Sequence, residues 1–187
     1  MFVLYAIPIG IVIGLIAGGR LEGLAGLRLR WVPLILLGLL VQVAIFTEAI
    51  GRAVGDAGPA IYVASTAIVL VAVLRNVRVP GVWLIAVGAG CNLAAIVANG
   101  GWMPADADAL ASIGGPDSGY TNSIIVPDPA FGPLTDIFAL PTWLPFANVF
   151  SIGDVLIGVG IAVTIALAMR AGRVPAAGDA PEPATHL

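Results

Sequence analysis

Ile152-Gly-Asp-Val-Leu-Ile-Gly-Val-Gly-Ile-Ala-Val-Thr-Ile-Ala-Leu-Ala-Met169 carries one acid at its third position and then nothing ionisable before Arg170. A helix crossing about 30 Å of hydrocarbon needs about 20 mostly apolar residues, because its backbone must satisfy its own hydrogen bonds there. Four more stretches read the same way, at 2–18, 31–50, 60–74 and 82–98, each bounded by Arg, Pro, Gly or acidic residues. The stretch at 60–74 is the shortest. The prediction is an all-α integral membrane protein, a five-transmembrane-helix bundle. Residues 1–174 form its membrane domain, with an extracytoplasmic cap at 99–150 between helices 4 and 5. The tail, 175–187, has the Ala, Pro and acidic content of a disordered segment.

Composition agrees. Of 187 residues, 59% are hydrophobic and 10% charged, with mean hydropathy +1.05, against roughly 25% charged in a soluble domain. All eight basic residues are Arg, too sparse for a nucleic-acid surface. One cysteine, Cys91, and one histidine, His186, leave disulfide frameworks, thiolate zinc sites and Ser/His/Asp triads without their parts, so neither a metal nor a cofactor is implied.

Arginine placement sets the orientation, since loops retained in the cytoplasm keep positive charge. Arg20, Arg28, Arg30, Arg75, Arg78, Arg170 and Arg173 fall on one side of the five spans and only Arg52 on the other. The cap has no Lys or Arg and carries Asp106, Asp108, Asp117, Asp128 and Asp136. The N-terminus is therefore expected outside and the C-terminus in the cytoplasm. The first span lacks a positive leader and reads as a retained helix. Its Gly10, Gly14 and Gly18 recur at the spacing of close helix packing, expected within the chain rather than between copies.

Polar side chains inside spans are costly, so each is paired within the bundle or belongs to a site. Gln42 and Asn92 read first as interhelical hydrogen bonds; a solvated Glu48 sits near the end of the second span, and Asn99 lies on the face of Asn92. Asp154 has two readings. In the first, Ser151 is the N-cap of the last helix and Asp154 its N3 partner in a capping box. In the second, Asp154 pairs with Asp136 of Gly-Pro-Leu-Thr-Asp-Ile-Phe-Ala-Leu-Pro (132–141), two carboxylates sharing a proton and activating a water. Ser151, Asn148 and Asn99 are the supporting residues. Trp143, Phe146 and Phe150 suit a membrane interface. Asn99-Gly-Gly reads as a helix end, Pro104 as the start of a short helix with Asp106 and Asp108 as helix-start charges, and 114–119 as a turn.

The strings Asn99-Gly-Gly-Trp-Met-Pro, Asp136-Ile-Phe-Ala-Leu-Pro and Asn148-Val-Phe-Ser-Ile-Gly-Asp154-Val-Leu-Ile resemble, across most of the chain, a family of small bacterial multi-pass membrane proteins of unknown function. That likeness implies an architecture and a bacterial plasma membrane, but no activity. Over the last fifty or so residues, Thr135-Asp136-Ile-Phe, Leu-Pro-Phe and Ser-Ile-Gly-Asp154 also resemble lipoprotein signal peptidases. This second likeness implies a membrane aspartyl peptidase with Asp136 and Asp154 as its catalytic pair. Ser151 stands where that family has Asn, and no Arg occurs between Arg78 and Arg170, where that family has an Asn and an Arg just before its first aspartate. Three functions follow, in order: a structural or interaction role among membrane lipid and other membrane proteins, an aspartyl peptidase, and a small-solute carrier using Gln42 and Asn92.

Overall fold

The computed structural model describes residues 2–114 and 123–171. The tail at 175–187, Arg173, Asp117, most of the turn at 114–119 and the side chain of Glu48 lie outside the described residues. The helices are α1 (Ala6–Ile16), α2 (Val32–Ile45), α3 (Glu48–Val54), α4 (Gly58–Leu74), α5 (Val82–Ala98), α6 (Ala107–Ser112) and α7 (Ile152–Ala171), with 3-10 turns at Phe2–Tyr5, Leu21–Gly26 and Gly55–Ala57. Two stretches, Ala49–Leu74 and Ile152–Ala171, are long and apolar enough to cross a membrane, by length and composition. Phe2–Ile16, Val32–Ile45 and Val82–Ala98 are shorter apolar helices. The stretch read as shortest, 60–74, thus belongs to the longest helical run, because α3 and the turn after it lead straight into α4.

The second apolar helix, expected to reach Ile50, stops at Ile45. Thr47 turns extended, and both its N–H and its hydroxyl donate to the Ala44 carbonyl, at 3.0 and 2.7 Å. The glycines of α1 divide between two tasks. A Cβ on Gly10 would stand 2.9 Å from the Ala162 backbone, and one on Gly14 2.6 Å from Met169 Sδ, so both seat α1 on α7. Gly18 packs against nothing within 4 Å. With φ +75° it is the left-handed residue of a Schellman ending, in which the Gly19 N–H donates to Gly14 O at 2.8 Å and the Gly18 N–H to Leu15 O at 2.9 Å.

Helix α7 is the hub, packed on α1 and α5, and α4 in turn packs on α5 and α2. At one end of the bundle the Arg20 N–H donates to Met169 O at 2.9 Å, Thr164 Oγ1 lies 2.9 Å from Pro80 O and the Arg30 N–H donates to Asn76 Oδ1, which places Arg20, Arg30, Arg75, Arg78 and Arg170 there. The opposite, cap end holds the start of α1, the end of α5 and the start of α7. The bundle is apolar on its outside as well: Ile16 is 82% exposed and Leu40 64%, with Ile7, Ile9, Val12, Leu36 and Leu37 similarly displayed. A helix facing water carries its charges on that stripe.

The cap departs from the all-α expectation. Strand β1 (Met103–Ala105) pairs in parallel with β2 (Ser123–Ile125), and β3 (Phe138–Ala139) pairs antiparallel with β4 (Val149–Phe150). Pro104, expected to open a helix, lies buried in β1. The helix starts after Asp106 instead, whose carboxylate accepts from the Asp108 and Ala109 N–H groups at 3.0 and 2.9 Å. Ala105, Leu110 and Val149 form the cap's own small core.

Candidate functional site

Gly88 and Asn92 lie one turn apart on α5, and Gly153 opens α7 opposite them. A Cβ on Gly153 would overlap the Asn92 carboxamide oxygen and stand 2.8 Å from Gly88 O, so two glycines set the spacing that lets one asparagine reach the head of α7. There Ser151 and Asp154 form a reciprocal capping box. The Asp154 N–H donates to Ser151 Oγ at 3.0 Å, and the Ser151 N–H donates to Asp154 Oδ2 at 3.1 Å. The asparagine closes the ring: Asn92 Nδ2 donates to Asp154 Oδ1 at 3.0 Å, and the Ser151 hydroxyl donates to Asn92 Oδ1 at 2.8 Å. That hydroxyl has one proton, so the 3.2 Å approach of Ser151 Oγ to Asp154 Oδ2 is a close contact beside its shorter bond. The carboxamide is oriented by the same logic, since its reversal would set an oxygen against the carboxylate.

Asp136 is held through its backbone. Its N–H donates to Pro104 O at 3.0 Å, and its carbonyl accepts from the Asp106 N–H at 3.0 Å in a parallel bridge to β1; the residue is 5% exposed. Two residues on, Phe138 pairs with Phe150, the residue before Ser151. The β3–β4 register therefore carries the Asp136 segment to the head of α7, while the Asp154 carboxylate takes its hydrogen bonds from Ser151 and Asn92.

The other singled-out residues act elsewhere. Asn99 follows α5 and grips the cap, donating to Ala95 O at 2.8 Å and Ala130 O at 2.9 Å and accepting from the Ala130 N–H at 2.9 Å. Asn148 accepts from the Phe2 N–H at 2.9 Å, and Phe2 stacks on Phe150 with centroids 4.2 Å apart. Phe150 also stacks on the Phe138 ring, with centroids 5.4 Å apart. Gln42 donates to Thr66 Oγ1 at 3.3 Å, joining α2 to α4.

Sequence reasoning missed Asn76, 4% exposed at the arginine end. Its carboxamide accepts from the Arg30 N–H at 2.6 Å and donates to Arg30 O and Ala72 O at 2.8 Å each. Beside it the Arg75 guanidinium lies 5.5 Å from the centre of the Trp31 ring. At the same end, exposed Glu22 is held below the usual carboxylate range, first by its own backbone N–H and then by Arg20 at 3.3 Å. Among the described residues no cluster of three His, Cys, Asp or Glu is placed to hold a metal ion, and every buried side-chain nitrogen and oxygen has a hydrogen-bond partner.

No curated protein and no solved structure matches the chain, so the likeness to lipoprotein signal peptidases rests on its motif alone. A match does exist at the family level and takes in α2, α4, α5, the cap and most of α7: over residues 26–166 the chain fits the family of unknown function DUF5317, and it belongs to that family.

Proposed function

We propose that the protein is a five-span plasma-membrane protein with its N-terminus outside, its C-terminus in the cytoplasm and its cap on the outer face, serving a structural or interaction role. The observation that carries this reading is how its intramembrane polar groups are used. Gln42 is bonded to Thr66, and Asn92 to Ser151 and Asp154. Each holds one element of the bundle to another, as amides and hydroxyls do between membrane helices. Gln42 and Asn92, the residues a carrier would turn toward a solute path, are engaged in this way. The apolar outer faces of α1 and α2 supply a lipid surface, and the gathering of arginines at one end follows the retention of positive charge in the cytoplasm. The shorter helices fit a bilayer that thins locally around them, at modest cost.

Single cysteines test the topology in a Cys91→Ala background. Asp128→Cys is expected to react with a membrane-impermeant maleimide on intact cells, and Arg28→Cys only after permeabilisation. Labelling of position 28 on intact cells would overturn the orientation.

A second reading, a membrane aspartyl peptidase, draws on the β3–β4 register, in which Phe138, two residues after buried Asp136, pairs with Phe150, four residues before Asp154. Asp136→Asn separates the two. A peptidase loses cleavage of membrane-anchored peptides while staying folded, whereas the structural reading expects no cleavage by the unsubstituted protein either.

A further inference from the structure

The cap has two unlike halves. The first exposes Asp106, Asp108 and Asp128. The second, from Ile137 to Gly153, contains no ionisable residue at all. Its hairpin turns through Pro141-Thr-Trp-Leu-Pro-Phe146, where the Leu144 N–H donates to Pro141 O at 3.0 Å. At this tip Trp143 is 79% exposed and Phe146 72%, and Phe146 holds φ +57°, a left-handed backbone that an aromatic residue rarely adopts. The tip is fixed in place: the Tyr5 hydroxyl donates to Pro145 O, one residue before α1 and its outward Ile7, Ile9 and Val12. Two amphipathic or apolar rings are thus presented beside the apolar face of α1, at the level where that helix begins.

We propose that the 141–146 tip is a membrane anchor, burying Trp143 and Phe146 at the boundary between headgroups and acyl chains of the outer leaflet. Trp and Phe gain from burial at that level, and the absence of charge from the whole hairpin removes the cost of bringing it there. The inference rests on the five-span reading. Because β4 runs from the tip into Ser151, the anchor also fixes the depth of the ring formed by Ser151, Asp154 and Asn92.

The test uses the full chain in nanodiscs of phosphatidylcholine and phosphatidylglycerol, with an environment-sensitive fluorophore on single cysteines in the Cys91→Ala background. Trp143→Cys reports the tip and Phe146→Cys repeats it; Leu40→Cys on α2 and Asp108→Cys in the acidic half serve as references. The expected result is a blue-shifted label at 143, quenched several-fold more by lipids bearing a shallow nitroxide than by an aqueous quencher. If 143 behaves like 108 while 40 reports lipid, the anchor is wrong and the five-span reading stands. If 40 also behaves like 108, the membrane reading itself falls. A label at 143 shielded from both quenchers would mean that protein covers the tip, which equally overturns the anchor.

Discussion

Asn92 and Asn76 do the same mechanical work at opposite ends of the bundle by different means. Asn92 reads side chains: it needs a hydroxyl at 151 and a carboxylate at 154. Asn76 reads backbone: its partners are the N–H and carbonyl of Arg30 and the carbonyl of Ala72, which any residue but proline would offer there. The cap-end tether is therefore a specific polar cluster joining two helices. The arginine-end tether pins a connecting segment to a helix end and is indifferent to what that segment carries. Each end of the bundle thus has a carboxamide tether, and only one of these two constrains its partners' identity.

The largest expected effect comes from removing the space that the cap-end tether needs. Gly153→Ala drives a Cβ into the Asn92 carboxamide and toward Gly88 O; forcing α5 and α7 apart is expected to cost about 3 kcal/mol, the upper part of the range for overpacking. It should appear as a large fall in the thermal midpoint in detergent. A midpoint unchanged within error would mean that α5 and α7 are not held at this spacing.

Next is Asn76→Ala, expected to cost about 2–3 kcal/mol, because it leaves the N–H and carbonyl of Arg30 without their bonds beside a buried position. Arg30→Ala should be nearly silent by comparison, since the bond is to backbone. If Arg30→Ala is as damaging as Asn76→Ala, the distinction between the two tethers fails. At the cap end the converse holds. Asp154→Asn sets an amide donor against either the Ser151 N–H or the Asn92 Nδ2, and about 1–2 kcal/mol should be lost. A double-mutant cycle of Asn92→Ala with Ser151→Ala is expected to show coupling of about 1 kcal/mol, because the two share a bond. Gln42→Leu, whose bond to Thr66 is longer at 3.3 Å, should cost no more than about 0.6 kcal/mol if α2 and α4 lie in lipid as proposed, the average for such bonds between membrane helices.

The same distinction governs what could be read from the chain. The apolar helices were legible because their signal is compositional, and the capping box because Ser151 and Asp154 sit three apart at the head of an apolar run. The partner of that box was not legible, since Asn92 meets it across helices through contacts at Gly88 and Gly153 that leave no local pattern. Asn76 was invisible for a stronger reason: following Arg75 it reads as loop polarity, and a backbone partner has no sequence signature. Pro104 misled because proline suits a helix start and an extended edge equally, and here its carbonyl is needed by Asp136. The break after Ile45 falls at Thr47, whose extended backbone no composition signal marks within the run at 31–50. The stacking of Phe150 on Phe2 was not legible either, since the two rings come from opposite ends of the chain.

The smallest effect sharpens the comparison between the ends through their carboxylates. Glu22 at the arginine end is bound by its own backbone N–H and by Arg20, and its folded value lies below the ordinary 4.5. A lowered value means that the unfolded chain binds the proton more readily. Any contribution of Glu22 to stability is therefore complete above the ordinary 4.5 and is lost as pH falls from there through the lower folded value. Glu22 is fully exposed, so solvent and salt screen the Arg20 pair, and exposed pairs of this kind contribute little. Glu22→Gln at pH 7 is accordingly expected to leave the thermal midpoint unchanged at low and high salt alike. Asp154→Asn in the same buffers should lower it by a salt-independent amount, because its partners are a backbone N–H and an amide in the part-buried helix junction. Two carboxylates with comparable numbers of donors would then differ in stability for a single reason, the presence of water around one of them. An equal loss from both variants would show that burial at the α5–α7 junction is not what gives the cap-end ring its strength.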